Sequence, residues 1–278
     1  MEYLQQGLER FKQEHGSEGQ AARRSAGNSH PVPPPIVYTS TKTVEVTDDT
    51  MRAQRLITGF EGGAFVDAYK MLRTQVVQQC RQKGWNVLGV TSPTPHAGKT
   101  LTAVNLSLAL AMDLTYTVLL VDADMHRPGV HQAFGMESCS GLTEYLFDQI
   151  PLEQLLVHPG IGRFVFLPGG RTITNSAEAL ASPRMGALVE ELKHRYPARL
   201  LVFDLPPLLS RADVLGFVPH IDALLLVVEE GRTGSNDVER AMTALEGSVP
   251  VLGGVLNMSG RGEMTRRRAK DLLMAHSG

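Results

Sequence analysis

Short apolar runs rich in β-branched residues alternate with helical stretches from Ala64 to about residue 258. The apolar runs have the length of strands and cover residues 87–90, 117–121, 164–167, 200–203, 223–228 and 251–256. The helical stretches cover residues 64–81, 101–112, 183–196 and 235–245. Strands that are apolar on both faces belong to parallel sheets covered by helices on both sides. The pattern therefore predicts a doubly wound α/β domain with a mostly parallel sheet.

The composition of the chain changes near residue 50. Between Gly16 and Thr50 large apolar side chains are few, and four of the residues from 31 to 35 are prolines. Such a segment buries too little apolar surface to offset the entropy lost on ordering. We therefore predict a flexible, disordered N-terminal extension over residues 1–58, with the spacing of a short helix near its start. A domain over residues 59–258 and a basic tail over residues 259–278 would follow.

The charge balance argues against nucleic acid and membrane surfaces as direct partners. The 278 residues include 27 basic and 29 acidic side chains, a net charge of -2, so no overall field attracts polyanions. The two cysteines are too few for a disulfide framework, which is typical of a reducing compartment. The apolar runs fall far short of the roughly 20 residues of a membrane-spanning helix, and no secretory signal is visible. We expect a cytoplasmic protein, which would need a partner to work at a membrane.

The segment Ser-Pro-Thr-Pro-His-Ala-Gly-Lys-Thr at residues 92–100 follows one predicted strand and opens a predicted helix. In this context the loop amides and the helix N-terminus favour a bound β-phosphate. Lys99 would reach the β- and γ-phosphates, and the Thr100 hydroxyl would bind Mg²⁺. Pro93 stands where the full pattern G-x-x-x-x-G-K-[ST] has its first glycine, so only the second half of that pattern is present. The residues predicted to contact the nucleotide here are Pro95, His96, Ala97, Gly98, Lys99, Thr100 and Leu101.

Two carboxylate motifs follow other predicted strands. Asp122-Ala-Asp124 comes after the strand at residues 117–121, and Asp204-Leu-Pro-Pro comes after the strand at residues 200–203. Each aspartate taken alone is more typical of a helix N-cap or a turn. Ligands of doubly wound sheets, however, bind at the carboxyl ends of the strands. The three motifs in this order therefore predict one site for Mg²⁺ and nucleotide phosphates.

Together these motifs resemble those of the bacterial tyrosine kinases (BY-kinases) of capsule and exopolysaccharide loci, the CpsD/CapB type. The resemblance runs from about Phe65 to Met258 and, within the family, points to the exosortase-linked exopolysaccharide branch. Family phosphate loops read like Ser-Pro-x-Pro-Gly-x-Gly-Lys-Thr, so His96 replaces a glycine here. The second family motif, Asp-x-Asp-x-Arg, has His126 in place of arginine. If the loop needs a positive φ at residue 96, histidine adopts it more readily than most residues.

The resemblance implies a P-loop NTPase fold of the MinD/ParA kind and an ATP- and magnesium-dependent protein-tyrosine kinase. Lys99 would neutralise the transferring phosphate, and Asp122 would position or deprotonate the tyrosine with support from Asp124. Asn257, at the end of the last predicted strand, would contact adenine. The metal ligands, direct or through water, would be Thr100, Asp122 and Asp204.

The resemblance also implies partners. A membrane chain-length regulator, a polysaccharide co-polymerase, would activate the chain and recruit it to the inner face of the cell membrane. Family members assemble into rings through Glu-x-x-Arg-x-x-Arg on the helix before the phosphate loop, where this chain has Asp67, Lys70 and Arg73. The charges keep their spacing, but aspartate is shorter than glutamate, and lysine does not replace arginine in bidentate contacts. We expect either a homo-oligomer or, as the alternative, a plain solvated helix face.

One family feature is missing, the C-terminal tyrosine cluster that neighbouring subunits phosphorylate. Of the six tyrosines none follows residue 196. We expect Tyr3 and Tyr38 to be the acceptors within this chain, because they lie in the flexible extension, and other protein tyrosines to be its external substrates. The missing cluster also motivates a second hypothesis, a nucleotide-switched regulatory ATPase partner of the chain-length regulator without tyrosine kinase activity.

Two further classes of nucleotide-binding protein fit the sequence less well. A partitioning ATPase of the MinD/ParA kind would carry a signature lysine five residues before Lys99, where this chain has Thr94. A dinucleotide oxidoreductase would show G-x-G-x-x-G after its first strand, and that pattern is absent after residues 87–90.

Overall fold

The computed structural model describes residues 41–57, 62–113, 116–195 and 199–259 of the chain. The predicted helix near the start, the first 40 residues of the expected disordered extension, and the tail from residue 260 lie outside these residues. Tyr3, Tyr38 and Tyr196 lie outside them as well. The expectation that Tyr3 and Tyr38 accept phosphate therefore stays a prediction.

Within the described residues, one sheet of eight strands forms the centre of the domain. The strands are β1 (Lys42–Thr43), β2 (Val87–Thr91), β3 (Thr117–Asp122), β4 (Val157–His158), β5 (Phe164–Leu167), β6 (Arg199–Asp204), β7 (Ala223–Glu229) and β8 (Val251–Asn257). They lie in the order β1-β4-β5-β3-β6-β2-β7-β8, and each pairing is parallel except that of β4 with β5. The mostly parallel sheet is confirmed, and the six predicted strands match observed strands to within one residue at each end.

Helices connect the strands and cover the sheet. They are α1 (Asp48–Ala53), α2 (Ala64–Lys83), α3 (Lys99–Ala111), α4 (Val130–Ala133), α5 (Leu142–Asp148), α6 (Leu152–Leu155), α7 (Ser176–Leu180), α8 (Pro183–Arg195), α9 (Asp213–Phe217) with a 3-10 turn at Val218–His220, and α10 (Ser235–Leu245). The four predicted helices correspond to α2, α3, α8 and α10. The remaining helices have four to seven residues, too few turns to show a clear helical period in the sequence. Across the described residues, no helix combines the length and the apolar composition that crossing a bilayer requires.

Alternate residues of the central strands face two separate apolar layers. In β3, Leu119 and Val121 belong to one layer, whereas Val118 and Leu120 belong to the other. Side chains of α5 to α10 complete the first layer, and side chains of α1 to α4 complete the second. Because successive side chains of a strand point to opposite faces, a sheet covered on both sides needs strands that are apolar throughout. The doubly wound fold predicted from the sequence is confirmed.

Helix α3 is the most enclosed of the long helices described here. Every residue from Thr102 to Ala111 is buried, because the helix carries small and aliphatic side chains on all faces. A helix that is apolar all round belongs in the interior of a domain. Its first residue, Lys99, directly follows the phosphate loop, so the packing of α3 holds one end of that loop in place.

Residues 42–57, which we call the N-terminal arm, differ from the sequence prediction. We expected a flexible segment up to residue 58, but β1 pairs with β4, and Met51, Leu56 and Ile57 are buried in the layer that contains α2 and α3. These contacts join residues far apart in the sequence, so the polar local composition of the segment does not reveal them. We therefore place the N-terminal arm with the domain.

A buried side chain of α3 ties the arm to the domain. The Asn105 side chain accepts a hydrogen bond from the Ile57 amide at 2.8 Å and donates one to the Arg55 carbonyl oxygen at 3.0 Å. Asn105 is fully buried, and so is its contact with the Ile57 amide. A buried main-chain donor that loses its acceptor costs free energy, so Asn105 stabilises the docked arm.

Replacing Asn105 with alanine should lower the free energy of unfolding by about 2 kcal/mol, because two main-chain groups lose their partners. In a domain of this size the melting temperature should fall by about 4–8 °C. Asn236→Ala, which removes an exposed asparagine of α10, is the matched control and should melt like the wild type. Equal melting temperatures for Asn105→Ala and the control would contradict this role of Asn105.

Candidate functional site

The phosphate loop connects β2 to α3 and contains two residues in the left-handed region. Gly98 has φ 84°, and His96 has φ 68°. The positive φ confirms that the loop bends at residue 96 as glycine-containing loops do, and histidine adopts this conformation at a modest cost. The His96 side chain is exposed. Of the residues predicted to contact nucleotide, the buried ones are Ala97 and Lys99.

Asn257, at the end of β8, contacts the phosphate loop. Its side-chain amide donates a hydrogen bond to the Ala97 carbonyl oxygen at 2.9 Å. A Cβ atom on Gly98 would lie 2.1 Å from the Asn257 Nδ2 atom, so glycine is required there by space as well as by φ. The sequence suggested Asn257 only as an adenine contact, which stays a prediction. The support that it gives to the loop was missed, because nothing in the sequence indicates this pairing.

Lys99 lies at the centre of the site, where it joins the phosphate loop to both carboxylate motifs. Its Nζ atom is 2.8 Å from Asp124 Oδ2, 3.3 Å from Asp204 Oδ1 and 3.2 Å from the Thr100 hydroxyl. Burial by itself lowers the pKa of Lys99, but the charges of Asp204 and Asp124 outweigh burial and raise that pKa above its usual value. The two carboxylates therefore favour the charged form of this buried lysine.

Asp122 and Asp204 lie side by side, as partners in the register of β3 and β6, and both are fully buried. Burial, followed by the charge of Asp204, raises the pKa of Asp122 to about 7. Asp122 Oδ2 accepts hydrogen bonds from the amides of Gly129 at 2.8 Å and Val130 at 2.9 Å, and Oδ1 accepts one from the Asp124 amide at 3.3 Å. Asp122 thus holds the loop between β3 and α4 in place.

The residues predicted to bind metal fit a magnesium ion in part. Asp204 Oδ2 is a buried oxygen without a hydrogen-bond partner among the described residues. Thr100 lines the cavity next to the same lysine that Asp204 contacts. Carboxylate and hydroxyl oxygens are the ligands that Mg²⁺ uses together with phosphate oxygens and water. Both oxygens of Asp122 already accept main-chain hydrogen bonds, so Asp204 and Thr100 are the better placed of the three predicted ligands.

A cavity of about 620 Å³ opens beside the phosphate loop. Three segments line it: the loop itself, the residues that follow β3 and the residues that follow β6. The lining residues are Pro95, His96, Gly98, Lys99, Thr100, Leu101, Asp124, His126, Arg127, Pro206, Pro207, Ser210 and Arg211. Asp124 is the one aspartate of the two carboxylate motifs that lines this cavity. Sequence reasoning gave no role to Arg127, Ser210 or Arg211, although each follows the end of a carboxylate motif by three or four residues.

The three residues predicted to mediate oligomerisation lie on α2, away from the cavity. Asp67 Oδ1 is 3.4 Å from Lys70 Nζ, and both side chains are exposed. Arg73 instead donates a hydrogen bond to the Ala109 carbonyl oxygen of α3 at 3.4 Å. Asp67 and Lys70 are therefore available at the surface, while Arg73 also contacts α3. Their part in self-association stays a prediction.

Comparison with known proteins places these features in context. No family model matches the chain. The chain is similar to the tyrosine-protein kinase YwqD of Bacillus subtilis, with 32% identity over 194 residues that cover 69% of this chain and 80% of YwqD. It is also similar to the tyrosine-protein kinase etk of Escherichia coli, with 31% identity over 193 residues. That match covers 26% of etk, so the chain spans about a quarter of the length of this relative.

Solved structures agree with this similarity. The kinase domain of the Escherichia coli tyrosine kinase ETK has a TM-score of 0.65 and 26% identity, and the match covers 82% of this chain and 93% of that domain. The septum site-determining protein MinD of Pyrococcus horikoshii, solved in complex with Mg-ADP, has a TM-score of 0.56 and 22% identity. That match covers 67% of this chain and 76% of MinD, and at this identity it shows a shared fold only.

The left-handed conformation of His96 leads to a test of the loop. His96→Gly should bind Mg·ADP at least as tightly as the wild type, because glycine adopts a φ near 68° without strain. His96→Val should bind about 5–30 times more weakly, because a β-branched residue in this region costs about 1–2 kcal/mol. Isothermal titration calorimetry of the three proteins measures the difference. Unchanged affinity in His96→Val would show that nucleotide binding does not depend on this conformation.

Proposed function

Because this chain belongs to the family of bacterial tyrosine kinases, we propose that it is an ATP- and magnesium-dependent protein-tyrosine kinase that regulates exopolysaccharide polymerisation and export. The observation that carries this proposal is the position of Lys99, whose amine contacts Asp124 and Asp204 at the end of a phosphate loop. The lysine therefore joins the loop to Asp204, a proposed metal ligand, and to Asp124, which lines the cavity. Phosphoryl transfer needs mainly positioning and charge stabilisation, and this group of residues supports both.

We assign the following roles to these residues. Loop amides and the N-terminus of α3 bind the β-phosphate, and Lys99 exchanges its carboxylate partners for β- and γ-phosphate oxygens. Thr100 and Asp204 would hold magnesium, directly or through water, and the ion would supply positive charge for phosphoryl transfer. When Lys99 turns to the phosphates, Asp124 loses its partner and is free to accept a hydrogen bond from a tyrosine hydroxyl in the cavity.

Transfer then requires one bond to form and one to break. The tyrosine oxygen bonds to the γ-phosphorus while the bond from that phosphorus to the β–γ bridging oxygen breaks, leaving ADP. The hydroxyl proton passes to a carboxylate. Asp122 remains a candidate for this step from the sequence, but we favour Asp124, because it lines the cavity while Asp122 accepts main-chain hydrogen bonds. Asp122 would then position the loop that carries Asp124.

The biological setting is part of the same proposal. By analogy with its family, a membrane chain-length regulator activates the chain and recruits it to the inner face of the cell membrane. Tyr3 and Tyr38 are the proposed acceptors within the chain, and residues 59–258 together with the N-terminal arm make up the kinase domain. Asp67, Lys70 and Arg73 are the proposed contacts between subunits in an oligomer.

The second candidate function is a nucleotide-switched regulatory ATPase without kinase activity. The observations behind it are the replacements His96 and His126 at two positions of the family motifs. In such a protein the same site would bind and hydrolyse ATP, but the phosphate would be released to water.

Labelling with γ-labelled Mg·ATP tests the proposal, with a tyrosine peptide as external acceptor and with or without the cytoplasmic part of a chain-length regulator. We expect label on tyrosine in the wild type and a loss of at least about 100-fold in Lys99→Met, because the charge that stabilises the transferring phosphoryl group is removed. Lys83→Met, at an exposed lysine of α2, is the matched control. Release of label only as free phosphate would support the regulatory ATPase instead.

Lys99 is buried between two carboxylates, so its loss also affects folding, and a second variant separates the two effects. Asp124→Asn keeps the shape of the side chain and leaves Lys99 paired with Asp204. It should retain Mg·ATP binding and a wild-type circular dichroism spectrum while losing transfer to tyrosine. A folded Asp124→Asn protein that transfers phosphate at the wild-type rate would rule out our assignment of Asp124.

A further inference from the structure

Two arginines at the cavity have no role in the steps described above. Arg127 follows the first carboxylate motif, and Arg211 follows the second. Both residues line the cavity, and both are exposed. Within the part of the chain that the structure describes, neither guanidinium forms an ion pair or a hydrogen bond. Each is therefore free to bind a group that enters from solvent.

The backbone that carries these arginines is held firmly against the site. The Arg127 amide donates to Asp124 Oδ1 at 3.2 Å, and the same loop is bound further along by Asp122. On the other side, the amides of Leu208 and Leu209 donate to the carbonyl oxygens of Ser92 at 2.8 Å and Pro93 at 3.2 Å in the phosphate loop. The backbone next to each arginine is thus hydrogen-bonded to the phosphate loop or to a carboxylate motif, although the two side chains are unpaired.

The order of the strands shows which side of the site these residues occupy. The phosphate loop follows β2, with β6 and then β3 on one side of it and β7 and then β8 on the other. The Lys99 amine contacts Asp204, the last residue of β6, and Asp124, just after β3, so we expect the terminal phosphate on that side. An acceptor must approach in line beyond the terminal phosphate. Arg127 and Arg211 therefore lie where the residues around an acceptor tyrosine would pass.

The charges at the cavity favour an acidic partner. The positive charge of Lys99 is already matched by Asp124 and Asp204, whereas the charges of Arg127 and Arg211 have no counterpart among the lining residues. Arginine binds carboxylates through two parallel hydrogen bonds, which suits it to recognise acidic side chains at an interface. We propose that Arg127 and Arg211 select protein substrates in which acidic residues flank the target tyrosine. This proposal rests on the proposed kinase function and names its substrate class.

A binding measurement tests this selection without requiring catalysis. Two labelled peptides carry phenylalanine in place of the target tyrosine, one flanked by glutamates and the other by glutamines at the same positions. Fluorescence anisotropy is measured with Mg·ADP, which leaves the position of the terminal phosphate free. The wild type should bind the glutamate peptide about tenfold more tightly at low ionic strength, and salt should reduce the difference, because exposed charges are screened.

The double variant Arg127→Gln/Arg211→Gln should bind both peptides with equal, weak affinity, whereas Arg232→Gln, at an exposed arginine of the β7–α10 loop, should behave like the wild type. Wild-type binding that is equal for the two peptides, or absent, would overturn the proposal. So would a double variant that still prefers glutamate. If the double variant instead loses affinity for Mg·ATP, the arginines are phosphate ligands, and the proposal is again wrong.

The experiments distinguish an error in the proposed substrate class from an error in the proposed kinase function. If the wild type binds the glutamate peptide through the arginines but never labels the matching tyrosine peptide, the arginine site stands as an acidic-peptide site and the kinase function is overturned. If tyrosine peptides with glutamate and with glutamine are labelled with equal kcat/KM, the kinase function stands and the selection by Arg127 and Arg211 is overturned.

Discussion

The ion pairs of Lys99 with Asp124 and Asp204 are the interaction on which the rest of the site depends. A buried ammonium group is costly unless opposite charges and hydrogen bonds compensate for its lost hydration. Here the compensation comes from two carboxylates at the carboxyl ends of different strands, Asp204 as the last residue of β6 and Asp124 just after β3. The parallel order β3-β6-β2 brings both to one edge of the sheet, and the enclosed helix α3 fixes the lysine. Phosphate oxygens can replace the carboxylates around Lys99, so nucleotide binding would free Asp124 in the cavity. ATP binding would thereby make Asp124 available to the hydroxyl of an acceptor tyrosine.

Much of the fold follows from hydrophobic patterning, because strands buried on both faces have an unmistakable run of β-branched residues. The strands β2, β3, β5, β6, β7 and β8 and the long helices were predictable for this reason. The N-terminal arm was not, since Met51, Leu56 and Ile57 are isolated in a polar segment and are buried only by contacts with distant residues such as Asn105. The motifs also located the central residues of the site, because the carboxyl ends of parallel strands lie at the same edge of the sheet.

Other features of the site depend on side-chain geometry that motifs do not encode. The amide of Asn257 binds the phosphate loop, and both oxygens of Asp122 accept hydrogen bonds from main-chain amides. An aspartate that binds metal and one that holds a loop look identical in a sequence. The sequence also does not show that the side chains of Arg127 and Arg211 are unpaired, because pairing depends on which acidic side chains lie near them in the folded protein.

The most direct test of the central claim is the thermal stability of the protein with ADP, in the presence and absence of magnesium, for the wild type and Asp204→Asn. At a nucleotide concentration about 100 times the Kd, Mg·ADP should stabilise the wild type by roughly 2.7 kcal/mol, a rise in Tm of about 5–11 °C. In Asp204→Asn, most of the magnesium-dependent part of this rise in Tm should be lost. In Asp49→Asn, which changes an exposed carboxylate, the rise should equal that of the wild type. A wild-type melting temperature that does not change at millimolar Mg·ADP would contradict the assignment of these residues as a magnesium–nucleotide site.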